Sequence, residues 1–368
     1  MLGARERFGV EMTVLRLLAA EGRFPGGSVT YLAETAAGVT AERWPGTLDE
    51  HPLRQPWARP GGPAADITWA RGAIAIHGLT MAAPPEQVRT WNLSSLWRLP
   101  VQGETIWFKT VPPFFAHEGA LLELLQAEPG VSVPRVLAHE GRRMLLHEIP
   151  GEDLYEPPVA TLRLMVSQLV RLQADWTGRT SELARIGLPD WRSERLASVI
   201  GALLDRLGAE LTADEQHVLA AFTDSLGDRF GVIEQCGLPD TLIHGDFHPG
   251  NHRGDVGAPF LLDWGDSGIG HPLLDQPAFL GRVPAQSIAG IKKHWIHEWR
   301  QALPGSHPAP AAELIAPIAA ARQAVIYQLF LDNIEPSERI YHADDPARWL
   351  RRTVALVEEE KQAGRLRA

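Results

Sequence analysis

The sequence predicts an α+β protein: a small β-rich N-lobe, then a large helical C-lobe, the two preceded by a β-rich extension. Three observations predict it. Strand-like runs of β-branched and aromatic residues stop near position 150, and runs with apolar residues at helical spacing begin near 157. Residues 1–80 differ in texture from both. The divisions expected are an extension over 1–85, a small lobe over 86–150 and a helical lobe over 151–368.

The extension opens with MTVLRLLAAE and GSVTYLAETA around FPGG, which reads as two strands about a glycine-containing turn. WARPGGPAAD (57–66) reads as loop, because Pro and Gly punctuate it. In the small lobe, TWNLSSLWRL and ETIWFKTV read as strands parted by a turn at Val101-Gln102-Gly103. AHEGALLELLQAE (116–128) is a helix with Leu121, Leu124 and Leu125 on one face, and RMLLHEI (143–149) is a strand stopped by Pro150-Gly151. ATLRLMVSQLVRLQADW then lines up Leu162, Val166, Leu169, Val170 and Trp176. Thr212 and Glu215 form a capping box before one long helix holding Val218, Phe222, Leu226, Phe230 and Ile233. Further helices are expected over 285–302, 311–333 and 345–363.

Composition narrows the function. Hydrophobic residues at 45% and charged residues at 22% of 368 positions suit a globular protein with a sizeable core. The net charge of −10, from 35 Lys+Arg against 45 Asp+Glu, argues against a nucleic-acid partner, which needs a basic face. Cys236 is the one cysteine, so no intrachain disulfide forms; it reads as a buried small hydrophobe, and a reducing cytoplasm is expected. The first residues carry charges throughout, unlike a signal peptide. No window reaches the ~20 apolar residues of a membrane span, so no membrane partner is expected.

The chemistry is concentrated in two segments. In His244-Gly245-Asp246-Phe247-His248-Pro249-Gly250-Asn251, the Pro-Gly pair forbids a regular helix and puts Asp246 and Asn251 on a tight loop. Twelve residues after Asn251, Asp263 ends the apolar run PFLLDW. One carboxylate to face a nucleophile, with an amide and a second carboxylate for a metal, is the set that phosphoryl transfer needs. Mg²⁺ takes oxygen ligands and keeps several waters, so two protein ligands suffice.

The spacing of five from Asp246 to Asn251 equals that of the kinase pattern HRDxxxxN, and Asp263 falls where the DFG aspartate is expected. HGDFHPGN followed by LLDWGDSGIGHPLLD resembles the signature of aminoglycoside phosphotransferases and their relatives, such as choline and homoserine kinases. The resemblance covers roughly residues 90–285 and implies a two-lobed protein-kinase-like fold using ATP or GTP with Mg²⁺. It implies Asp246 as catalytic base and Asn251 and Asp263 as metal ligands. It also implies a nucleotide-binding lysine on the third small-lobe strand, Lys109, paired with Glu118 on the next helix. Glu123 competes for that lysine but lies five residues on, roughly the other side of the helix. Ser94 and Ser95, in the loop between the first two strands, are expected beside the phosphates, where no GxGxxG occurs. The backbone of Glu148 and Ile149 is expected along the edge of the base. His244 and Asp275 are expected to support the loop. The acceptor would be the hydroxyl of a small molecule, and no oligomeric state is implied.

Competing signals are weaker. The opening hairpin resembles the first strands of a Nudix domain, but Ala33 stands where its helix needs glutamate, six residues after Gly27. Gly265-Asp266-Ser267-Gly268 spells the tetrapeptide around a trypsin-like nucleophile, in a chain without disulfides and with a helical last third. No GxxxxGK[ST] occurs. His244, His248 and His252 lie four apart, but Pro249-Gly250 breaks the helix that would align them on zinc. Trp264 reads as a packing anchor. Trp295, Trp299, Trp349 and Tyr341 read as core before acceptor pocket. Asp332, Glu335, Glu338, Asp344 and Asp345 read as acidic surface before cation site. Beside an active kinase stand a catalytically silent nucleotide-binding protein, disfavoured because Lys109, Asp246, Asn251 and Asp263 are all present, and a nucleotide hydrolase built on the extension, disfavoured by the missing Nudix glutamates.

Overall fold

In the computed structural model, residues 6–21, 27–40 and 46–363 are described. Contacts divide the chain into two units. The first comprises Met1–Gly119, Arg135–Glu148 and Phe330–Ala343, and the second Ala120–Pro134, Ile149–Leu329 and Asp344–Ala368.

In the first unit, β1 (Thr13–Glu21) and β2 (Ser28–Glu34) pair antiparallel. The turn expected at FPGG lies, but for Gly27, outside the described residues. The loop expected over 57–66 shrinks to residues 59–61. Pro56–Ala58 is a 3-10 turn, and Gly62 opens α1 (Gly62–Ile76). Pro63 falls in the first turn of α1, where a missing N–H costs nothing, and the alanines that follow are strong helix formers. Proline and glycine here mark a helix start rather than a loop.

Five strands make the sheet of this unit: β3 (Glu86–Thr90), β4 (Ser95–Val101), β5 (Glu104–Thr110), then, beyond α2 (Glu118–Gln126), β6 (Val136–Glu140) and β7 (Arg143–His147). Their order is β3-β4-β5-β7-β6, every pair antiparallel. Ala70 and Ile74 of α1 pack on one face, against Trp97, Leu99, Ile106, Phe108 and Leu145. Strand alternation sends Trp107 and Lys109 to the opposite face. The extension is bound into the sheet by polar contacts as well. The Gln87 amide mimics a strand neighbour, accepting from Val14 N at 2.9 Å and donating to Val14 O at 2.8 Å. Arg143 pairs with Asp66 of α1 at 2.8 Å.

The second unit is mostly helical. After β8 (Glu152–Asp153) come α3 (Val159–Asp175), α4 (Thr180–Arg185), β9 (Asp190–Trp191) and α5 (Ser193–Leu207). On α3 the expected stripe is buried, with Met165, Leu172 and Gln173 added. The capping box at Thr212 is present, but the one long helix is two, α6 (Ala213–Asp224) and α7 (Leu226–Gln235). Ser225 breaks it: its hydroxyl donates back to Phe222 O at 2.8 Å, a local bond that competes with helix continuation. Then follow β10 (Thr241–Ile243), β11 (His252–Asp255), β12 (Ala258–Leu261), β13 (Gly268–Gly270) and α8 (Gln276–Leu280). Two small sheets result, β10-β13-β9 and β12-β11-β8. The last helices, α9 (Ala285–Ala302), α10 (Pro308–Asn333) and α11 (Asp345–Gln362), lie within three residues of their expected bounds.

α10 corrects the reading that no segment is apolar enough to span a membrane: by length and composition it is, with a mean hydropathy of 1.5 over 18 residues. Ile315, Ile318, Ala321 and the charged Arg322 are nonetheless buried within the protein, so α10 serves as a core helix.

The acidic residues after α10 also depart from expectation. Glu335 and Glu338 are buried in the first unit rather than displayed. Glu335 holds Arg54 through both carboxylate oxygens at 2.8–3.0 Å. Glu338 Oε1 accepts from Leu17 N of β1 at 3.2 Å, while Oε2 has no partner among the described residues. Burial pushes this carboxyl from 4.5 up to about 7. Between those values the folded chain keeps a proton that the unfolded chain has lost, so stability falls as pH rises through the window. We predict that denaturant unfolding from pH 4.5 to 7.5 shows this fall and that Glu338→Gln flattens it. An amide can still accept from Leu17 and has no charge to bury. The variant should gain up to about 3 kcal/mol relative to wild type at the alkaline end.

Candidate active site

β10, fully buried, delivers the chain to His244. The backbone then turns at Gly245, whose φ of +87° suits glycine, and a Cβ there would stand 2.0 Å from Asp266 O. Asp275, in the 3-10 turn Pro272–Asp275, takes both amides of this turn: Oδ2 accepts from His244 N at 2.9 Å and Oδ1 from Gly245 N at 2.7 Å. Gln173 Nε2 adds a third donor to Oδ2 at 2.9 Å. Arg322 reaches the same turn from α10, donating to Gly245 O at 3.3 Å and Asp266 O at 3.2 Å. Burial pushes the Asp275 carboxyl up and the Arg322 guanidinium down, and each is opposed by neighbouring opposite charge.

His244 links the loop to the end of β12. Its Nδ1 accepts from Asp246 N at 3.3 Å and its Nε2 donates to Leu262 O at 2.8 Å. The Nδ1 acceptor needs a neutral ring, and burial lowers the imidazole pKa. Phe247 is fully buried, stacked on Phe279 with ring centres 4.9 Å apart, and anchors the loop between its polar neighbours.

Asn251 ends the 3-10 turn Pro249–Asn251. Its Nδ2 donates to Asp246 O at 2.9 Å and to Asp246 Oδ2 at 3.1 Å, and its backbone O accepts from Leu262 N at 2.8 Å. Asp246, Asn251 and the residue before Asp263 therefore share one hydrogen-bond network. Asp246 is 39% exposed at its side chain, with His248 Nε2 at 3.4 Å from Oδ2. Asp263 is exposed and holds φ 60° and ψ 65°, the one left-handed non-glycine residue among those described. A carboxylate kept in a conformation that costs of order 1–3 kcal/mol is a feature of functional sites.

With its nitrogen committed to Asp246, the Asn251 amide has its oxygen left as donor. An amide oxygen and an exposed carboxylate are hard ligands suited to Mg²⁺. Among the described residues no group of three or more His, Cys, Asp or Glu side chains is arranged to hold a metal ion. The histidine triplet is otherwise employed: His252 Nδ1 donates to His248 O at 3.0 Å, and burial takes that ring down to about 3.

In the first unit, Lys109 Nζ lies 2.7 Å from Glu118 Oε1, in the first turn of α2. Glu118 is almost fully buried. Ser94 is half-buried, and its Oγ accepts from the Trp91 indole at 3.0 Å. Ser95 is displaced from its expected place: it is the first residue of β4, fully buried, with Oγ accepting from the Trp97 indole at 3.0 Å. A strand position with no exposed surface removes it from the phosphate neighbours. Glu148 N donates to Thr105 O at 3.2 Å, and Ile149 O accepts from Arg253 Nε at 2.9 Å. The boundary between the two units falls between these two residues.

Several other readings are resolved. Ser267 is fully buried and donates to Trp264 O at 2.6 Å, so Gly-Asp-Ser-Gly presents no nucleophile. Trp264, Trp295 and Trp299 are fully buried core. Cys236 is buried, its thiol pushed up by desolvation. Arg322 and Gln173 escaped the sequence reading, and His248 was read only as one of three spaced histidines. A lone arginine within IAPIAAARQAVIYQLF was the available signal for Arg322; Gln173 carried none.

Comparison with known proteins bears on this geometry. Residues 108–304 match the family model of the phosphotransferase enzyme family. No curated protein matches the sequence. Solved structures do match the fold. A macrolide 2'-phosphotransferase from Brachybacterium faecium aligns over 75% of this chain and 97% of its own, at 17% identity and TM-score 0.54. A choline kinase from Streptococcus pneumoniae aligns over 80% and 99%, at 13% identity and TM-score 0.56. The GDP complex of an aminoglycoside 2'-phosphotransferase variant aligns over 81% and 98%, at 16% identity and TM-score 0.53.

The grip of Asp275 on two consecutive amides can be tested without any substrate. An asparagine has one acceptor oxygen, so Asp275→Asn leaves the His244 or the Gly245 amide without its partner. We predict a stability loss of about 1–3 kcal/mol, with faster hydrogen exchange at these two amides than at the neighbouring β10. Unchanged exchange at both would show that Asp275 does not hold the turn.

Proposed function

The chain belongs to the phosphotransferase enzyme family, and we propose that it transfers the γ-phosphoryl group of ATP or GTP to a hydroxyl of a small molecule, with Asp246 as the base. The observation that carries this reading is Asn251, whose side-chain amide donates to the Asp246 carboxylate and whose backbone carbonyl accepts from Leu262 N, next to Asp263. One bond orients the carboxylate and leaves the amide oxygen for a cation.

In the reaction proposed, Asp246 accepts the proton of the acceptor hydroxyl as its oxygen bonds to the γ-phosphorus. The bond to the β,γ-bridging oxygen breaks, and the diphosphate leaves with the electron pair. Asn251 and Asp263 would hold Mg²⁺, which when bound offsets charge on the phosphate oxygens. Lys109, oriented by Glu118, would engage the phosphates, with Ser94 near them and the backbone of Glu148 and Ile149 along the base. His248, at the Asp246 carboxylate, adds a group able to carry part of the loop's hydrogen bonding to the acceptor. The existence of a GDP complex among proteins of this fold keeps GTP beside ATP as donor. Acceptors named for proteins of the fold include macrolides and choline, so antibiotics and amino-alcohols are the first to screen. A cytoplasmic location, where nucleoside triphosphates are available, completes the reading.

The test couples nucleoside diphosphate formation to a panel of hydroxyl-bearing metabolites and antibiotics, followed by two variants on the acceptor found. Asp246→Asn should lower kcat by roughly 10²–10⁴-fold with little change in nucleotide affinity. Lys109→Ala should weaken both nucleotide binding and turnover. Near-full turnover by Asp246→Asn would reduce Asp246 to a loop cap and end the mechanism. A wild type that binds Mg-nucleotide yet turns over no acceptor would favour the silent binding protein.

A further inference from the structure

The second unit holds a cavity of about 410 Å³, and none of the residues proposed for phosphoryl transfer lines it. Leu196 of α5, Phe230 and Ile233 of α7 and Ile315 of α10 give it an apolar wall, all four buried. The size is that of an ordinary small-molecule site.

Two carboxylates share this lining: Asp240, just before β10, and Glu234, in the last turn of α7. Neither has a hydrogen-bond or ion-pair partner among the described residues. Glu234 is exposed. Asp240 is half-buried, yet neither of its oxygens is closed off from solvent, so a molecule in the cavity can reach them.

Asp240 is not an ordinary surface acid. It has given up part of its hydration without gaining a partner, and burial pushes its carboxyl up. Arg192 opposes that push, while Asp190 and Glu234 add to it. The Arg192 guanidinium is itself held by Asp190, at 2.6 Å and 2.9 Å. Glu234 puts further negative charge where α7 presents its negative pole, in a last turn without a basic residue.

Nothing in the lining answers these charges. No lysine or arginine lines the cavity among the described residues. His271 lines it, but burial takes that ring down to about 3, so it is neutral. Arg322 lies over the Trp191 ring at 4.7 Å without lining the cavity. A partly desolvated carboxylate gains most from a cation that also donates a hydrogen bond, and an apolar wall calls for a hydrocarbon body. We infer that this cavity is a second binding site, taking an amphipathic amine: its ammonium group against Asp240 and Glu234, its apolar body against Phe230, Ile233 and Ile315.

The experiment uses the full chain without nucleotide or acceptor, so its outcome is separate from that of the proposed function. Phenethylamine, its neutral isostere phenethyl alcohol and the anion phenylacetate are titrated and followed by ligand-observed NMR and by the isoleucine methyl resonances of the protein. The amine should bind at millimolar concentration, roughly threefold to tenfold more tightly than the alcohol, with phenylacetate weakest. Added salt should narrow the gap between amine and alcohol. The amine should shift the Ile233 and Ile315 methyls, which places it in this cavity rather than at Asp246. Asp240→Asn keeps the shape of the side chain without its charge. It should bring the amine to within about twofold of the alcohol, since the exposed Glu234 alone contributes little. Should that variant fail to fold, the methyl shifts in wild type still decide. Equal binding of amine and alcohol, no binding of the amine, unmoved Ile233 and Ile315 methyls, or a full preference kept by Asp240→Asn each overturns the inference.

Discussion

A carboxylate and a guanidinium, both buried, grip one turn of backbone between them. Asp275 receives the amides of His244 and Gly245, and Arg322 donates to the carbonyls of Gly245 and Asp266. Burying two charges is costly, and their mutual attraction alone seldom compensates. Here the charges also satisfy peptide groups that glycine and a non-repetitive loop leave without sheet or helix partners. The candidate residues of the second unit follow from that turn: His244 aligned against Leu262 O, Asp246 partly exposed, Phe247 sunk into the core and Asn251 bonded back to Asp246. Asp263, in its left-handed conformation, is followed by the buried Trp264, whose indole donates to Leu261 O at 3.0 Å.

The first unit solves a different problem. Its five-stranded sheet needs one face covered, and α1 covers it with Ala70 and Ile74, leaving Lys109 on the opposite face. The extension is thus part of the unit's core rather than an appendage. Gln87, Asp66 and Glu335 fasten it at three separate places. The chain after α10 contributes Glu335 and Glu338 to this unit, so residues far apart in sequence close one body.

The segments HGDFHPGN and LLDW were legible because their residues sit in short, ordered motifs, and Asp246 and Asn251 do share a hydrogen bond. Lys109 and Glu118, which the family resemblance implied as a pair, form an ion pair of 2.7 Å. Helices with a single apolar face, such as α9 and α11, were legible from periodicity. What escaped depends on partners distant in sequence. Nothing near Glu335 announces Arg54, so an acidic run reads as surface when it is buried. α1 escaped because proline and glycine are ambiguous at a helix start. Ser95 escaped because one residue decides between loop and strand, and with it between a phosphate neighbour and a buried hydroxyl.

The central claim is that Asp246, Asn251 and Asp263 form one centre that binds a metal–nucleotide complex. Paramagnetic resonance of Mn²⁺, titrated with ATP and the protein, reads that binding directly. Wild type should bind Mn–ATP, and Asp263→Asn should weaken it roughly tenfold or more, because a neutral amide is a poor ligand for a hard dication. Mn–ATP binding by Asp263→Asn as tight as that of wild type would contradict the account.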